Sequence, residues 1–124
     1  MLGSGGFIVY DETTSIVKNL YTFARFYHHE SCGQCSPCRE GTGWMEKILH
    51  RIVEGQGKPS DVDLLWDIQR KIEGNTICPL GDAAAWPVAS AIRHFRHEFE
   101  EYINHPERIK DVKHYYSVHQ LAGA

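Results

Sequence analysis

Four cysteines are the residues of this chain whose type and spacing could do chemistry. Three of them, Cys32, Cys35 and Cys38, recur at every third position in residues 31–43, SCGQCSPCREGTG. The fourth, Cys78, stands alone much further along, in the run ICPL. Three cysteines at this spacing on one loop can each bind a different iron of a single cubane cluster. The remote thiolate can then bind the fourth iron. The pattern therefore predicts a [4Fe–4S] cluster.

Two other uses of four cysteines remain open. The first alternative is a zinc-stabilised helical interaction module without redox activity, although structural zinc sites usually show two separate ligand pairs and these cysteines divide three and one. The second is a disulfide-stabilised helical binding domain. Disulfides are disfavoured because the triplet is too close together to pair without strain. The opening residues also lack the basic and apolar regions of a signal peptide, so an oxidising compartment is not expected.

The composition is that of an ordinary globular domain. The chain has 124 residues, 42% of them hydrophobic and 23% charged, which is enough to bury one core. The formal net charge of −3 gives no electrostatic reason to expect nucleic acid or an anionic membrane as a partner. No apolar run approaches the roughly 20 residues that span a bilayer, so direct membrane insertion is not expected.

Apolar residues recur with the helical period in four segments. We expect helices at about residues 14–28, 43–54, 60–73 and 82–103, with short connections between them. This pattern predicts an all-α fold, a four-helix bundle. The triplet falls between the first two helices, in a loop outside any core, and Cys78 falls between the last two. In an up-down-up-down bundle these two connections lie at the same end, so the topology itself brings Cys78 beside the triplet.

The chain is expected to divide into three parts. Residues 1–12 form a glycine-rich turn and a short β-like segment, which finds no partner strand in the rest of the sequence. We interpret it as the end of an upstream β-rich domain. Residues 13–104 are the helical iron–sulfur-binding bundle, and residues 105–124 form a polar tail.

Other polar side chains give weaker signals. Glu98, Glu100 and Glu101 cluster on one helix without a matching motif on another, so a solvated face is favoured over a di-iron site. Arg39 follows the third cysteine, and two interpretations of it remain equal: a positive charge beside an anionic cluster, or a partner of Glu40. No constellation indicates hydrolysis, and no catalytic residue is predicted.

The runs ESCGQCSPCREGTG and ICPLGDAAAWPV resemble one known family. They look like the C-terminal part of the NADH-binding flavoprotein subunit of respiratory complex I, the NADH:quinone oxidoreductase. The opening MLGSGG and the segment AIRHFRHEFEEYI resemble the same family. Related subunits occur in NAD-linked hydrogenases and formate dehydrogenases, and the likeness covers roughly residues 1–102.

The resemblance implies one [4Fe–4S] cluster, with Cys32, Cys35, Cys38 and Cys78 as its ligands. It implies that FMN and NADH bind on an upstream domain, so this chain alone is expected to be inactive. It also implies that the cluster relays electrons from reduced FMN to a partner subunit. The partners would be other subunits of the peripheral arm of complex I or of a related NAD-linked complex. The location would be cytoplasmic, peripheral to the inner face of the membrane through those partners.

Overall fold

Four helices make up the fold of the described residues. A computed structural model describes residues 5–106 of the chain. Within this range no strand is present and the helices follow one another through short connections. Their bounds are α1 Ile16–Glu30, α2 Ser36–Val53, α3 Asp61–Ile72 and α4 Leu80–Asn104. The predicted all-α, four-helix fold is therefore confirmed.

The core lies between all four helices. α1 packs against α2 and α4, α3 packs against the same two helices, and α2 also contacts α4. Each helix supplies apolar residues three or four positions apart, because this spacing places side chains on one face. Burying each large aliphatic side chain stabilises the bundle by about 1.5–3 kcal/mol. The core side chains with almost no exposed surface include Val17, Leu20, Met45, Leu49, Ile52, Leu65, Ile72, Val88 and Phe99.

α2 begins earlier than the sequence pattern predicts. Its first residue is Ser36 and its N-cap is Cys35, so the helix starts inside the cysteine triplet rather than at residue 43. Pro37 is compatible with this start, because the N–H that proline lacks would have no partner in the first turn. Gly41, expected in a loop, lies inside the helix: a Cβ atom there would come within 2.6 Å of Cδ1 of Ile72. Glycine at this position serves close packing of α2 on α3.

α4 also begins earlier than expected. It starts at Leu80, and the carboxylate of Asp82, in its first turn, accepts a hydrogen bond from the N–H of Gly74 at 2.8 Å. Pro87 consequently lies inside the helix. Ser60, directly before α3, makes no side-chain capping hydrogen bond.

The end of the bundle remote from the cysteines is held by a polar network. Ser15 caps α1, its Oγ accepting from the N–H of Lys18 at 3.2 Å. The same Oγ donates to Oε1 of Glu98 at 2.6 Å and lies 2.7 Å from the Tyr102 hydroxyl. The expectation that Glu98 lies on a solvated face is therefore wrong. Its carboxylate joins α4 to the start of α1.

The opening segment makes no sheet within the described residues. Residues 6–11 carry neither helix nor strand, and the Phe7 side chain is 87% exposed. The β-like segment expected there is therefore not a strand in the described residues. The expected tail lies almost wholly outside the described residues. No helix among residues 5–106 is long and apolar enough to cross a membrane.

Candidate metal centre

The four cysteines occupy one end of the bundle. Cys32 and Cys35 lie in the connection between α1 and α2, and Cys38 lies in the first turn of α2. Cys78 lies in the connection between α3 and α4. All four thiols are free. The structure thus gives no support to the disulfide alternative.

A hydrogen bond joins the two connections. The backbone N–H of Ile77 donates to Sγ of Cys35 at 3.4 Å. Ile77 directly precedes Cys78, so this bond holds the fourth cysteine near the triplet. The distance is within the range expected of a bond to sulfur, which is longer than one to oxygen. The up-down-up-down order of the helices produces this meeting without any unusual connection.

The four thiols differ strongly in exposure. Cys38 is 7% exposed, Cys35 is half-buried, and Cys32 and Cys78 are exposed. The expectation that the whole triplet lies in a loop outside any core is wrong for Cys38, which lies on the buried side of the first turn of α2. The site therefore has a buried side at Cys38 and an open side at Cys32 and Cys78.

Hydroxyl groups fix Cys38 from two directions. The Ser31 hydroxyl lies 3.2 Å from the Cys38 sulfur, and the N–H of Gly33 donates to the Ser31 oxygen at 3.4 Å. On the other side, the buried Thr42 hydroxyl donates to the carbonyl of Cys38 at 2.7 Å. Thr42 is four residues further along α2, where a hydroxyl reaches back to the preceding turn.

Arg39 stabilises the backbone between Cys32 and Cys35. Its guanidinium donates to the carbonyl of Gly33 at 2.9 Å and to Oε1 of Glu40 at 2.9 Å. Gly33 has a φ of +79°, a conformation that side chains other than glycine's rarely adopt. The pairing of Arg39 with Glu40 is thus present in the structure, and the positive charge beside a cluster stays a prediction.

The Cys78 connection has its own internal support. The Thr76 hydroxyl donates to the carbonyl of Cys78 at 3.0 Å. Gly81, in the first turn of α4, packs so closely that a Cβ atom would lie 2.4 Å from this hydroxyl oxygen. Any larger residue at Gly81 would displace the Thr76 side chain and disturb its hydrogen bond to the carbonyl of Cys78.

Two helices begin at the cysteines. The N-cap of α2 is Cys35 and that of α4 is Pro79, next to Cys78. Neither helix start has a side-chain cap among the described residues. The first N–H groups of a helix lack internal partners and carry the positive end of its dipole. The cysteine end of the bundle is therefore suited to a negatively charged group.

Comparison with known proteins identifies the family. The family described as NADH-ubiquinone oxidoreductase-F iron-sulfur binding region matches residues 18–102, which include all four cysteines. The chain belongs to this family. The resemblance found in the two cysteine-containing runs is thus confirmed over most of the chain.

Relatives of this family support the same assignment. The F subunit of the NADH-quinone oxidoreductase of Rickettsia bellii (strain OSU 85-389) is 54% identical over 102 residues, which cover 82% of this chain and 24% of the relative. An F subunit of the same type of enzyme in Rhizobium meliloti (strain 1021) is 50% identical over 103 residues, covering 83% and 24%. The chain spans about a quarter of the length of these curated relatives.

Solved structures show the same fold. A chain in the crystal structure of NAD+-reducing [NiFe]-hydrogenase in the H2-reduced state superposes with a TM-score of 0.72 at 35% sequence identity. The match covers 77% of the present chain and 16% of the hydrogenase chain. The helical bundle of the oxidoreductase-F iron–sulfur family thus recurs in a second type of NAD-linked oxidoreductase.

The residues present fit the iron–sulfur cluster of this family. Cysteine thiolates are the usual protein ligands of iron–sulfur clusters, and a [4Fe–4S] cluster takes four of them. A four-iron cluster is larger than one ion, and this end of the bundle offers it four free thiols and two helix starts without side-chain caps.

Several features of the site could not be predicted from the cysteine pattern. The contact of Ser31 with Cys38 and the backbone bond from Ile77 emerge only from the fold. Two adjacent histidines at the end of α1, next to the triplet, pair with carboxylates. His28 bonds Glu46 on α2, and His29 bonds its neighbour Glu30.

Proposed function

We propose that this chain is the electron-transfer iron–sulfur module of the F subunit of an NADH-quinone oxidoreductase. In this proposal it relays electrons from reduced FMN to a partner subunit. The observation that carries the proposal is the bond from the Ile77 N–H to Cys35, because it brings the two cysteine-bearing connections to one place. The family match over residues 18–102 supports it.

The ligands in this proposal are Cys32, Cys35, Cys38 and Cys78. Their four free thiols supply the donor number that a [4Fe–4S] cluster requires. When bound, the cluster supplies one-electron transfer. The protein holds the thiolates, shields Cys38 from water and leaves Cys32 and Cys78 near the surface.

The open side of the site is the expected route for electrons. Ile77 is 86% exposed although it is apolar and sits beside Cys78. An exposed apolar side chain next to a redox group allows a second protein surface to approach closely and exclude water. We assign this side to the contact with the flavin-bearing domain or with the next subunit.

The remaining features of the parent protein belong to the same proposal. FMN and NADH bind on an upstream domain, of which residues 1–12 are the end, and residues 13–104 form the cluster-binding bundle. The chain alone is inactive in NADH oxidation. Its partners are other subunits of the peripheral arm, through which it is held at the inner face of the membrane.

Anaerobic reconstitution of the purified 124-residue chain tests cluster binding. Incubation with ferrous iron and sulfide is expected to give about four irons and four sulfides per chain, with a broad visible absorption that dithionite bleaches. Serine at any one of the four cysteines is expected to reduce iron loading, whereas Ser36→Ala, in the same segment, is expected to load normally. One zinc ion per chain with no uptake of iron would overturn the proposal in favour of the zinc-stabilised module.

A second measurement tests the relay. The loaded chain is mixed anaerobically with excess photoreduced FMN, and the visible absorption of the cluster is followed by stopped flow. Bleaching by reduced flavin is expected. A cluster that dithionite bleaches and reduced flavin does not would leave cluster binding intact and remove the flavin from the proposed path.

A further inference from the structure

Ser31 has a close sulfur neighbour. Its Oγ lies 3.2 Å from Sγ of Cys38, seven positions further along. The contact is partly buried, and it links the residue that caps the end of α1 to the first turn of α2. A hydroxyl at this distance from a cysteine sulfur is within hydrogen-bond range.

The proton of this contact can be assigned. A hydroxyl has one proton and two acceptor lone pairs. The N–H of Gly33 already donates to the Ser31 oxygen, which uses a lone pair and leaves the hydroxyl proton free. A cysteine that binds iron is a thiolate and has no proton to give. The direction of the bond in the loaded protein is therefore from Ser31 to Cys38.

Both ends of the bond are fixed by helices. Ser31 is the C-cap of α1, and its backbone N–H donates to the carbonyl of Tyr27 at 3.1 Å. Cys38 is held in the first turn of α2, where Thr42 bonds its carbonyl. Neither side chain belongs to a free loop, so the contact is a property of how α1 and α2 pack.

Because Cys38 is buried, a hydrogen bond to its sulfur is expected to affect the reduction potential more than a hydrogen bond to Cys32 or Cys78. Water can donate hydrogen bonds to the exposed thiols of Cys32 and Cys78. Little water reaches Cys38, and a hydrogen bond is electrostatically stronger where the surroundings are less polar. Hydrogen bonds to ligand sulfurs stabilise the more negative, reduced state and raise the reduction potential.

We infer that Ser31 is a positioning residue that donates a hydrogen bond to the Cys38 thiolate and raises the reduction potential of the cluster. This inference rests on the proposed function. It gives the buried side of the site a specific donor, Ser31, while the Ile77 N–H serves Cys35.

The test compares side chains of similar shape at position 31. Ser31→Thr keeps the hydroxyl, whereas Ser31→Val replaces it with a methyl group, and Ser31→Ala removes it without adding bulk. Ser36→Ala removes a hydroxyl of the same segment that makes no hydrogen bond to a cysteine among the described residues. Each chain is reconstituted anaerobically, and its reduction potential is measured by redox titration followed by electron paramagnetic resonance.

The expected result is a lower potential in Ser31→Val and Ser31→Ala, with Ser31→Thr and Ser36→Ala close to wild type. If Ser31→Thr takes up the cluster and both Ser31→Val and Ser31→Ala fail to do so, the bond is also supported, because the hydroxyl is what distinguishes Thr from Val. Equal potentials in all loaded variants overturn it, as does failure of all three Ser31 variants, which would indicate a steric requirement. A wild-type chain that takes up no cluster overturns the proposed function, and this inference with it. Equal potentials in loaded variants remove only the role of Ser31.

Discussion

The backbone N–H of Ile77 and the sulfur of Cys35 lie 3.4 Å apart although 42 positions separate them in the sequence. The bond ties the connection between α3 and α4 to the cap of α2. It uses no side chain of Ile77, so it persists through any substitution there that keeps the N–H. The meeting of the two connections therefore does not depend on which side chain stands at position 77.

The unequal burial of the thiols predicts an order of chemical modification. In the cluster-free chain under anaerobic conditions, Cys32 and Cys78 are expected to react first with iodoacetamide, Cys35 next and Cys38 last. Cys38 is expected to react roughly tenfold more slowly than Cys32, because local opening must precede reaction at a buried group. Peptide mass spectrometry after limited labelling gives the order.

The control for this labelling is the same chain in urea, where all four thiols are expected to react at similar rates. Equal rates for Cys38 and Cys32 in the native chain would contradict the burial gradient.

The carboxylate of Glu98 predicts a stability difference at the far end of the bundle. It accepts from the N–H groups of Ile16 and Val17 at 3.3 Å and from the Ser15 hydroxyl at 2.6 Å. A carboxylate at a helix start satisfies free donors and complements the dipole. Glu98→Ala is therefore expected to lower the free energy of unfolding by about 1–2 kcal/mol, measured by urea denaturation followed by circular dichroism.

Glu100→Ala is the matched control for Glu98→Ala. Glu100 is two positions away on α4 and is exposed, and it bonds Arg96 within the same helix at 3.0 Å. Its removal is expected to cost about 0.5 kcal/mol or less. Equal losses for the two variants would mean that Glu98 does not hold α1.

Two glycines of α2 predict opposite responses to alanine. At Gly41 a Cβ atom would lie 2.6 Å from Cδ1 of the buried Ile72, so Gly41→Ala is expected to destabilise the chain. Overpacking of this kind costs about 1–3 kcal/mol, offset by about 1 kcal/mol from the better helix propensity of alanine. At Gly43 the nearest atoms belong to the half-exposed ring of His28, which can move aside.

Gly43→Ala is consequently expected to be neutral or slightly stabilising. The melting temperatures of both variants, measured by thermal unfolding and compared with wild type, test these two expectations. A Gly41→Ala chain that melts at or above the wild-type temperature would show that Ile72 repacks freely.

The phenol of Tyr102 predicts a loss of stability at high pH. Burial raises the pKa of Tyr102 above its usual value, and the hydrogen bond with Ser15 offsets part of that rise. The native state thus holds the proton more tightly than the unfolded state does. The resulting stabilisation is complete below about pH 10 and is lost as the pH rises through the folded-state pKa.

Tyr102→Phe isolates this effect, since it removes the titrating group. The variant is expected to be less stable than wild type at pH 8, by about 1 kcal/mol for the lost bond to Ser15. The difference is expected to shrink towards pH 11. Urea midpoints of both chains between pH 8 and pH 11 measure it, and a constant difference across that range would contradict the shift.

The helices could be predicted from the sequence because their apolar residues repeat with one period. Val17 and Leu20, or Ile48 and Ile52, mark faces that are indeed buried. The start of α2 could not be predicted in this way. Residues 36–42 hold few of the large apolar side chains that define a face, and Gly41 looks like a loop residue until its contact with Ile72 is seen.

The cysteines of the candidate site could be predicted because their spacing is unusual, and helix order then predicted that Cys78 meets the triplet. Their surroundings could not. The contact of Ser31 with Cys38 joins residues seven positions apart and follows from how α1 meets α2. A backbone donor such as that of Ile77 leaves no mark on the sequence. Glu98 looks solvated in the sequence because its partners are backbone groups more than eighty positions away.

All four thiols lie at one end of the bundle, and residues 54–60 lie at the other. α2, with 18 residues, separates the two ends by about 27 Å at 1.5 Å per residue. A loaded chain attached to an electrode through residues 54–60 would hold its redox group that far from the surface. Attachment through the exposed Ile77 side would place it next to the surface. Currents in film voltammetry are therefore expected to be large in the second orientation and small in the first.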